Sequence, residues 1–216
     1  MILLPVWLSL KIALLATLAT LLTGLPVAWL LGRRSFPGRG LLETVVLVPL
    51  VMPPTVLGYY LLVLFGRSTP LGEWLGQVGI TLEFSWRGAA IAAWVGAFGL
   101  FIRAAQPGFE RVDGELEEAA RTLGRSEWSL FWSVTLPLAW RPVVMGVALA
   151  FCRAIGDVGM TLLAVGYLPG RTVEMSAALS GQLQSNWGAA YLFLLLTVVF
   201  VASLLLMVGH YSRVRN

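Results

Sequence analysis

The chain has 216 residues, of which 58% are hydrophobic and only 12% are charged. This excludes an ordinary soluble domain, because such domains are about half apolar and a quarter charged. The formal net charge of +4 comes with basic residues scattered between apolar runs, which argues against a nucleic-acid partner, since that needs basic residues clustered on one soluble face. The sequence therefore predicts an all-α integral membrane protein, with a single transmembrane domain over residues 1–216 in a lipid bilayer.

Five apolar runs approach or exceed the roughly 20 helical residues needed to cross a hydrocarbon layer about 30 Å thick. The first run holds one charge, Lys11, near its outer end, where a lysine can extend to the interface. This run lacks a basic n-region and a small-residue cleavage site, so we expect a retained span and not a signal peptide. The five predicted spans cover about residues 5–32, 41–65, 88–105, 142–165 and 189–209.

Three prolines, Pro49, Pro53 and Pro54, interrupt the second predicted span. Each proline removes a backbone donor, and a helix at membrane depth tolerates this only where neighbouring groups or a wet cavity satisfy the freed carbonyls. We therefore expect a kink or break between residues 49 and 54. Two interpretations stay open: a kink that serves helix packing alone, and a break at Pro53 and Pro54 that faces a translocation path.

Residues 103–141 form the one long polar interruption of the chain and carry six acidic residues and five arginines. Because this charge is nearly balanced, we expect a folded element and not a charged tail. Asp113 is placed to cap a helix over residues 114–123, and Gly124 can end that helix in a left-handed conformation. Four residues of this helix share one face at helical spacing, namely Leu116, Ala119, Ala120 and Leu123.

A second short helix is predicted to follow the glycine turn. It begins at Ser126 and carries four bulky apolar residues, Trp128, Phe131, Trp132 and Val134. We expect it to stop before Pro137, because proline cannot continue the hydrogen-bond ladder of a helix. The predicted arrangement is helix, glycine turn, helix.

Within the polar segment, Glu118-Ala119-Ala120 is followed after three residues by Gly124, and after nine more by Val134-Thr135-Leu136-Pro137. These residues resemble the E-A-A-x3-G-x9-I-x-L-P loop of ABC-importer permeases, with valine in place of isoleucine. In that family the loop, residues 106–137 here, forms a cytoplasmic coupling helix that docks into a cleft of the ATPase subunit. An ordinary amphipathic helix with a glycine cap is the alternative; the fixed distance to the Leu-Pro pair favours coupling. The resemblance implies ATPase-coupling roles for Glu118, Ala119, Ala120, Gly124, Leu136 and Pro137.

Arginine counts predict the orientation in the membrane. Ten arginines lie in the linker 33–40, the loop 103–141 and the tail after the fifth predicted span, whereas the opposite loops hold three, Arg67, Arg87 and Arg171. Basic residues favour the cytoplasmic side. We therefore expect the N-terminus outside and the C-terminus in the cytoplasm, which places the loop 103–141 on the side where ATP is found.

Two opposite charges lie inside the fourth predicted span. Arg153 and Asp157 are four residues apart, hence on one face of a helix, and an ion pair within the membrane costs less free energy than either charge alone. A structural ion pair is the favoured interpretation, and an attraction of Arg153 for an anionic substrate is the alternative. Thr161, one turn further along, is a weaker candidate for the same translocation path.

The sequence offers no site for an enzyme. It has one histidine, His210, and one cysteine, Cys152, and it lacks a metal-spaced cluster of ligands, a G-x-S-x-G sequence and a Walker-type glycine-rich loop. We expect no catalytic residue, metal or cofactor on this chain. ATP and magnesium are expected on a partner ATPase.

Among ABC-importer permeases, the chain is similar to the molybdate-type oxyanion group from about residue 10 to residue 210. The likeness is carried by PLVMPPTVLGYYLLVLFGRS, GITLEFSWRGAAIAA and TLPLAWRPVVMGVALAF. One departure is Gly156-Asp157-Val158-Gly159, where many relatives have a glutamate in place of the aspartate, which leaves the role of that acid open.

The resemblance implies a permease subunit in the cell membrane of a bacterium or an archaeon, which imports an oxyanion, with molybdate as the first choice. Tungstate, sulfate or another anion is the alternative within the class. The implied partners are a second copy of the chain, two cytoplasmic ATP-binding subunits and an extracytoplasmic oxyanion-binding protein. From other classes, an ATP-independent channel and a membrane scaffold remain open.

Overall fold

A computed structural model describes residues 3–66, 69–78, 82, 85–156, 195 and 198–199. Every element bounded within these residues is helical, as the sequence predicts. The elements are α1 (Leu3–Arg33), α2 (Arg39–Val51), α3 (Pro54–Phe65), α4 (Pro70–Gln77), α5 (Trp86–Glu110), α6 (Gly114–Thr122), α7 (Glu127–Leu130), a π-helical turn (Phe131–Thr135) and α8 (Leu136–Gly156).

Three helical stretches within the described residues are long and apolar enough to cross a membrane: Trp7–Arg33, Trp86–Glu110 and Glu127–Gly156. The middle one, α5, packs against both α1 and α8. The third begins 15 residues before the predicted start of the fourth span, because α7, the π-helical turn and α8 follow one another without a break. The predicted span 189–209 lies almost wholly outside the described residues, as do Asp157, Thr161 and His210.

Small residues bring these three helices together around Phe101 of α5, whose side chain is fully buried. A β-carbon on Gly24 of α1 would lie 2.7 Å from the Phe101 ring, and one on Gly146 of α8 would lie 3.1 Å from it. A larger residue at Gly24 would force a shift of the ring or of α1, and one at Gly146 would make an unusually tight contact. Such small-residue contacts are typical of helix packing in membranes, where lipid offers no hydrophobic driving force between helices.

The predicted break in the second span is confirmed, since α2 and α3 are bent by 110° across Met52 and Pro53. Met52 and Pro53 both adopt extended backbone, with ψ of 140° and 137°, because a residue that precedes a proline is disfavoured in the helical region. Pro54 then occupies the first turn of α3, where its missing donor costs nothing. With 13 and 12 residues, neither helix alone has the roughly 20 residues that a full crossing requires.

The prediction that the second short helix stops before Pro137 is wrong. The chain stays helical from Glu127 to Gly156, and Leu136 N–H donates to the carbonyl of Phe131, five residues back. This π-helical turn is wider than an α-helical one. Pro137 follows directly after this turn as the second residue of α8, within a continuous helical stretch.

Candidate functional site

The site is built at the polar end of the helix bundle, where α1 ends at Arg33, α5 ends at Glu110 and the short helix α6 crosses between α5 and α7. The start of α6 is the predicted one, because the Asp113 carboxylate accepts a hydrogen bond of 3.0 Å from the Glu115 amide. At the same end of the bundle, the Phe131 ring meets Trp29 edge-on at 5.9 Å and stacks with Phe109 at 6.4 Å. These contacts join α1, α5 and the π-helical turn in one aromatic cluster.

The predicted apolar face of α6 is divided between two environments. Ala120 is 8% exposed and packs inward, whereas Leu116 and Leu123 are 50% and 84% exposed. Ala119 and Glu118 are exposed as well. We call Leu116, Glu118, Ala119 and Leu123 the outer face of α6. These three apolar residues and one acid are uncovered, next to the exposed polar residues Glu115 and Thr122, on a helix whose other side is fixed to the chain.

Glu117, one residue before the predicted coupling glutamate, is 5% exposed. Its carboxylate accepts hydrogen bonds from the Arg33 guanidinium and, at 2.7 Å, from the Thr135 hydroxyl. Arg33 also donates to the Val112 carbonyl at 2.8 Å, and Arg121 lies 3.7 Å away on the same helix. Nothing in the sequence indicated that Glu117 is buried, because it is a hydrophilic residue within a polar segment. We call Arg33, Val112, Glu117 and Thr135 the inner network.

Gly124 has φ of +80°, as predicted for a left-handed helix end. The Gly124 amide donates to the Arg121 carbonyl at 2.9 Å, and the Arg125 amide donates to the Ala120 carbonyl at 3.2 Å. This pair of bonds is the Schellman motif. Ser126 then caps α7 by accepting from the Ser129 amide at 3.3 Å.

An ion pair closes the glycine turn from outside. Arg121 Nε donates to Glu127 Oε1 at 2.6 Å, and this hydrogen bond raises the pKa of Arg121 above its ordinary value. Both side chains are about half exposed, so solvent screens the pair and its contribution to stability is small. Its effect is on geometry, because it joins α6 to α7.

The remaining candidate residues lie in two places. Leu136 and Pro137 begin α8, directly after Thr135 of the inner network. Pro53 lies in the α2–α3 break and Pro54 begins α3, and both are exposed. Leu57 of α3 belongs to the same core cluster as Ala154 and Ile155 of α8, and Met52 packs against this cluster. The residues beside the break and those beside Arg153 thus share one cluster, separate from the one that contains Phe109.

Lys11 provides a landmark at the other end of the bundle. Its ammonium group lies 3.9 Å from the centroid of the Trp86 ring, which begins α5. A lysine over an indole face is a favourable cation–π contact. Within the described ranges, no three His, Cys, Asp or Glu residues are grouped closely enough to hold a metal ion.

Comparison with solved structures assigns the fold. One chain of a bacterial alginate ABC transporter, crystallised in complex with an alginate pentasaccharide-bound periplasmic protein, superposes with a TM-score of 0.74. The match covers 98% of this chain and 78% of that chain, at 18% sequence identity. The fold and the apolar helices together define a multi-pass membrane protein with the fold of an ABC transporter chain.

Comparison with protein families gives the membership. The family model of the binding-protein-dependent transport system inner membrane component matches residues 24–215, and the chain belongs to that family. It is 44% identical over 210 residues to the molybdenum transport system permease protein ModB of Escherichia coli K12, covering 94% of this chain and 92% of that protein. It is 36% identical over 185 residues to the sulfate transport system permease protein CysT of the same strain, covering 85% of this chain and 66% of that protein.

Proposed function

We propose that this chain is the membrane subunit of an ATP-driven importer that passes molybdate from an extracytoplasmic binding protein into the cytoplasm. Two copies of the chain form the path, and two cytoplasmic ATPase subunits, which hold ATP and magnesium, drive it. The 44% identity to a molybdenum permease over nearly the whole chain supports the substrate. The alginate transporter, whose structure contains a periplasmic protein, supports the kind of partner on the outer side.

The proposal that this chain couples to an ATPase rests on the outer face of α6. It exposes Leu123 at 84% and Leu116 at 50%, while the opposite side of the same helix is fixed by the buried Glu117 carboxylate. Exposed leucines beside acidic side chains, on a helix anchored at the polar end of a membrane bundle, are suited to a protein partner, since preorganisation lowers the cost of association. We assign the cleft of the ATPase as the surface that covers it, with Glu118 and Ala119 in contact.

The proposed orientation puts α6 in the cytoplasm and the Lys11–Trp86 contact outside. The excess of arginines in the loops on the side of α6 supports it. With Cys152 replaced by alanine, cysteines at Ser126 and at the exposed Trp74 of α4 should be labelled from the inside and from the outside respectively. Labelling of both cysteines from the same side of the membrane would contradict this topology.

The translocation path is proposed to run past the α2–α3 break, because Leu57, which follows the two prolines, and Ala154, which follows Arg153 in α8, belong to one core cluster. We favour pairing of Arg153 with Asp157 over direct contact of Arg153 with the anion. If pairing is its role, Arg153→Met should reduce uptake, and Arg153→Met with Asp157→Asn should restore it, since neither charge is then left alone. A double variant no better than the single one would favour contact with the anion, with Thr161 as a further member of the path.

Sulfate is the second candidate substrate, since the sulfate permease shares 36% identity. Uptake of labelled molybdate into proteoliposomes that contain the chain, its ATPase and its loaded binding protein tests the function directly. We expect ATP-dependent uptake that unlabelled molybdate or tungstate competes away and sulfate does not. A channel would conduct without the ATPase, and a scaffold would tolerate replacement of Glu118 and Gly124.

A further inference from the structure

Glu117 is a buried acid that docking of the outer face does not use. It lies on the inner side of α6, 5% exposed, where an unpaired carboxylate would be costly. The structure gives it three cationic or hydroxyl neighbours instead: Arg33, Thr135 and, at 3.7 Å, Arg121. A carboxylate held in this way is fixed in position, because each bond restricts a different direction of movement.

The groups that meet at Glu117 come from distant parts of the sequence. Arg33 is the last residue of α1, 84 positions away, and Thr135 ends the π-helical turn, 18 positions away. Arg33 also donates to the Val112 carbonyl in the link between α5 and α6. The carboxylate therefore connects α6 directly to the end of α1 and to the residue before α8, and through Arg33 to the link that follows α5.

The contact with Thr135 falls at a special point of the α8 ladder. Leu136 bonds to the carbonyl five residues back, so the helix that enters the membrane departs from α-helical pairing next to the threonine that holds Glu117. Such single π-helical turns within α-helices occur frequently at functional sites. A displacement of α6 would therefore act on α8 at the place where its hydrogen-bond ladder already departs from α-helical pairing.

We propose that Glu117 is the positioning residue that transmits movement of α6 to α1 and α8, and so determines how much transport accompanies each ATP hydrolysed. This rests on the proposed function, in which α6 receives movement from the ATPase. Glu118 and Ala119 make contact with the partner, and Glu117 carries the displacement inward. Without Glu117, the ATPase should stay bound and hydrolyse ATP, but this hydrolysis should no longer drive the movement of the membrane helices.

The test uses the assembled complex in proteoliposomes, with the ratio of labelled molybdate taken up to ATP hydrolysed as the readout, at matched amounts of complex. Glu117→Gln keeps the size of the side chain and removes the charge that Arg33 pairs with. We expect the ratio to fall about tenfold, since a buried partner is left uncompensated, while ATPase stimulation by the loaded binding protein persists. Arg33→Met combined with Glu117→Gln should lower the ratio no further, because both changes break one network.

Glu110→Gln is the matched control, since it removes a carboxylate that also pairs with an arginine at this end, Arg39 at 3.4 Å, but with both side chains exposed by more than a third. Its ratio should equal that of the unaltered chain. Thr135→Val is the milder variant, should Glu117→Gln fail to assemble; it removes one hydrogen bond and keeps the ion pair, and it should lower the ratio by a smaller factor. An unchanged ratio in every assembled variant of the network would overturn the proposal.

The proposed function is checked separately by the amount of ATPase that co-purifies with the chain. If the unaltered chain binds no ATPase, or if Ala119→Asp does not weaken that binding, docking by α6 is wrong. If docking holds and the Glu117 variants transport with the unaltered ratio, only the transmission role is wrong.

Discussion

The two faces of α6 show how one short helix can belong to two structures. The inner face is tied to its own chain through Glu117, whose carboxylate bonds Arg33 and Thr135, and through the buried Ala120. The outer face leaves Glu118 and Ala119 exposed. Glu117 is thus buried and its neighbour Glu118 is exposed, and Ala120 is buried and its neighbour Ala119 is exposed. The inner contacts therefore anchor α6 to its own chain, while the outer face stays open to a partner.

The largest effect should come from a substitution in the turn at Gly124, which sets the orientation of both faces of α6. Gly124 has φ of +80°, and a side chain there would meet nothing within 4 Å, so Gly124→Val would be opposed by backbone strain alone. We expect normal insertion, little co-purifying ATPase and near-complete loss of uptake. Gly114→Val is the control, since a side chain at Gly114 is also unobstructed and no positive φ is required there. Full uptake by Gly124→Val would show that the turn does not set the docking geometry.

The paired alanines allow the two faces to be broken separately. Ala120→Asp places a charge in a buried position and should lower the free energy of unfolding of the isolated subunit by about 2 kcal/mol or more. Ala119→Asp should leave that stability within about 0.5 kcal/mol, as is usual for exposed substitutions, and should weaken ATPase binding. Melting of the purified subunit and co-purification of the ATPase measure the two effects. Equal loss of stability in both variants would erase the distinction between the faces.

A smaller contrast compares two ion pairs at the same end of the bundle. The Arg33–Glu117 pair has side chains 16% and 7% exposed, whereas the Arg39–Glu110 pair has 37% and 43%. Arg33→Met should lower the free energy of unfolding by about 3 kcal/mol, since it removes the hydrogen-bonded cation of a buried acid and leaves only Arg121 at 3.7 Å. Arg39→Met should cost less than about 1 kcal/mol. Denaturation of the isolated subunit in detergent compares the unfolding free energies of the two variants. Similar losses of free energy would mean that burial does not determine how much each ion pair contributes to stability.

Local signals in the sequence predicted a good part of this site. Asp113 before a helix, Gly124 after it and consecutive prolines at 53 and 54 each act on the backbone of adjacent residues, so the cap, the left-handed turn and the break could be read directly. The continuation of the helix through Pro137 could not, because the π-helical turn that permits it depends on the packing of Phe131 and Thr135 under α6.

The division of α6 into two faces also lay beyond the sequence. Glu117 and Glu118 have the same helix propensity and the same charge, and Glu117 is distinguished by partners distant in the chain, Arg33 84 residues earlier and Thr135 18 residues later. Amphipathic spacing grouped Ala120 with the exposed Leu116, Ala119 and Leu123, since periodicity identifies a stripe but not which edge of it the rest of the chain covers.

Photo-crosslinking from the outer face tests most directly the central claim that this surface receives the ATPase. A benzophenone amino acid replaces Leu123, which is 84% exposed, and in a parallel sample Leu41 of α2, which is 75% exposed. In membranes that contain the assembled complex, we expect irradiation to join the Leu123 variant to the ATPase subunit and to give no such product from the Leu41 variant. Absence of the product at Leu123, or equal yields from both positions, would contradict the account.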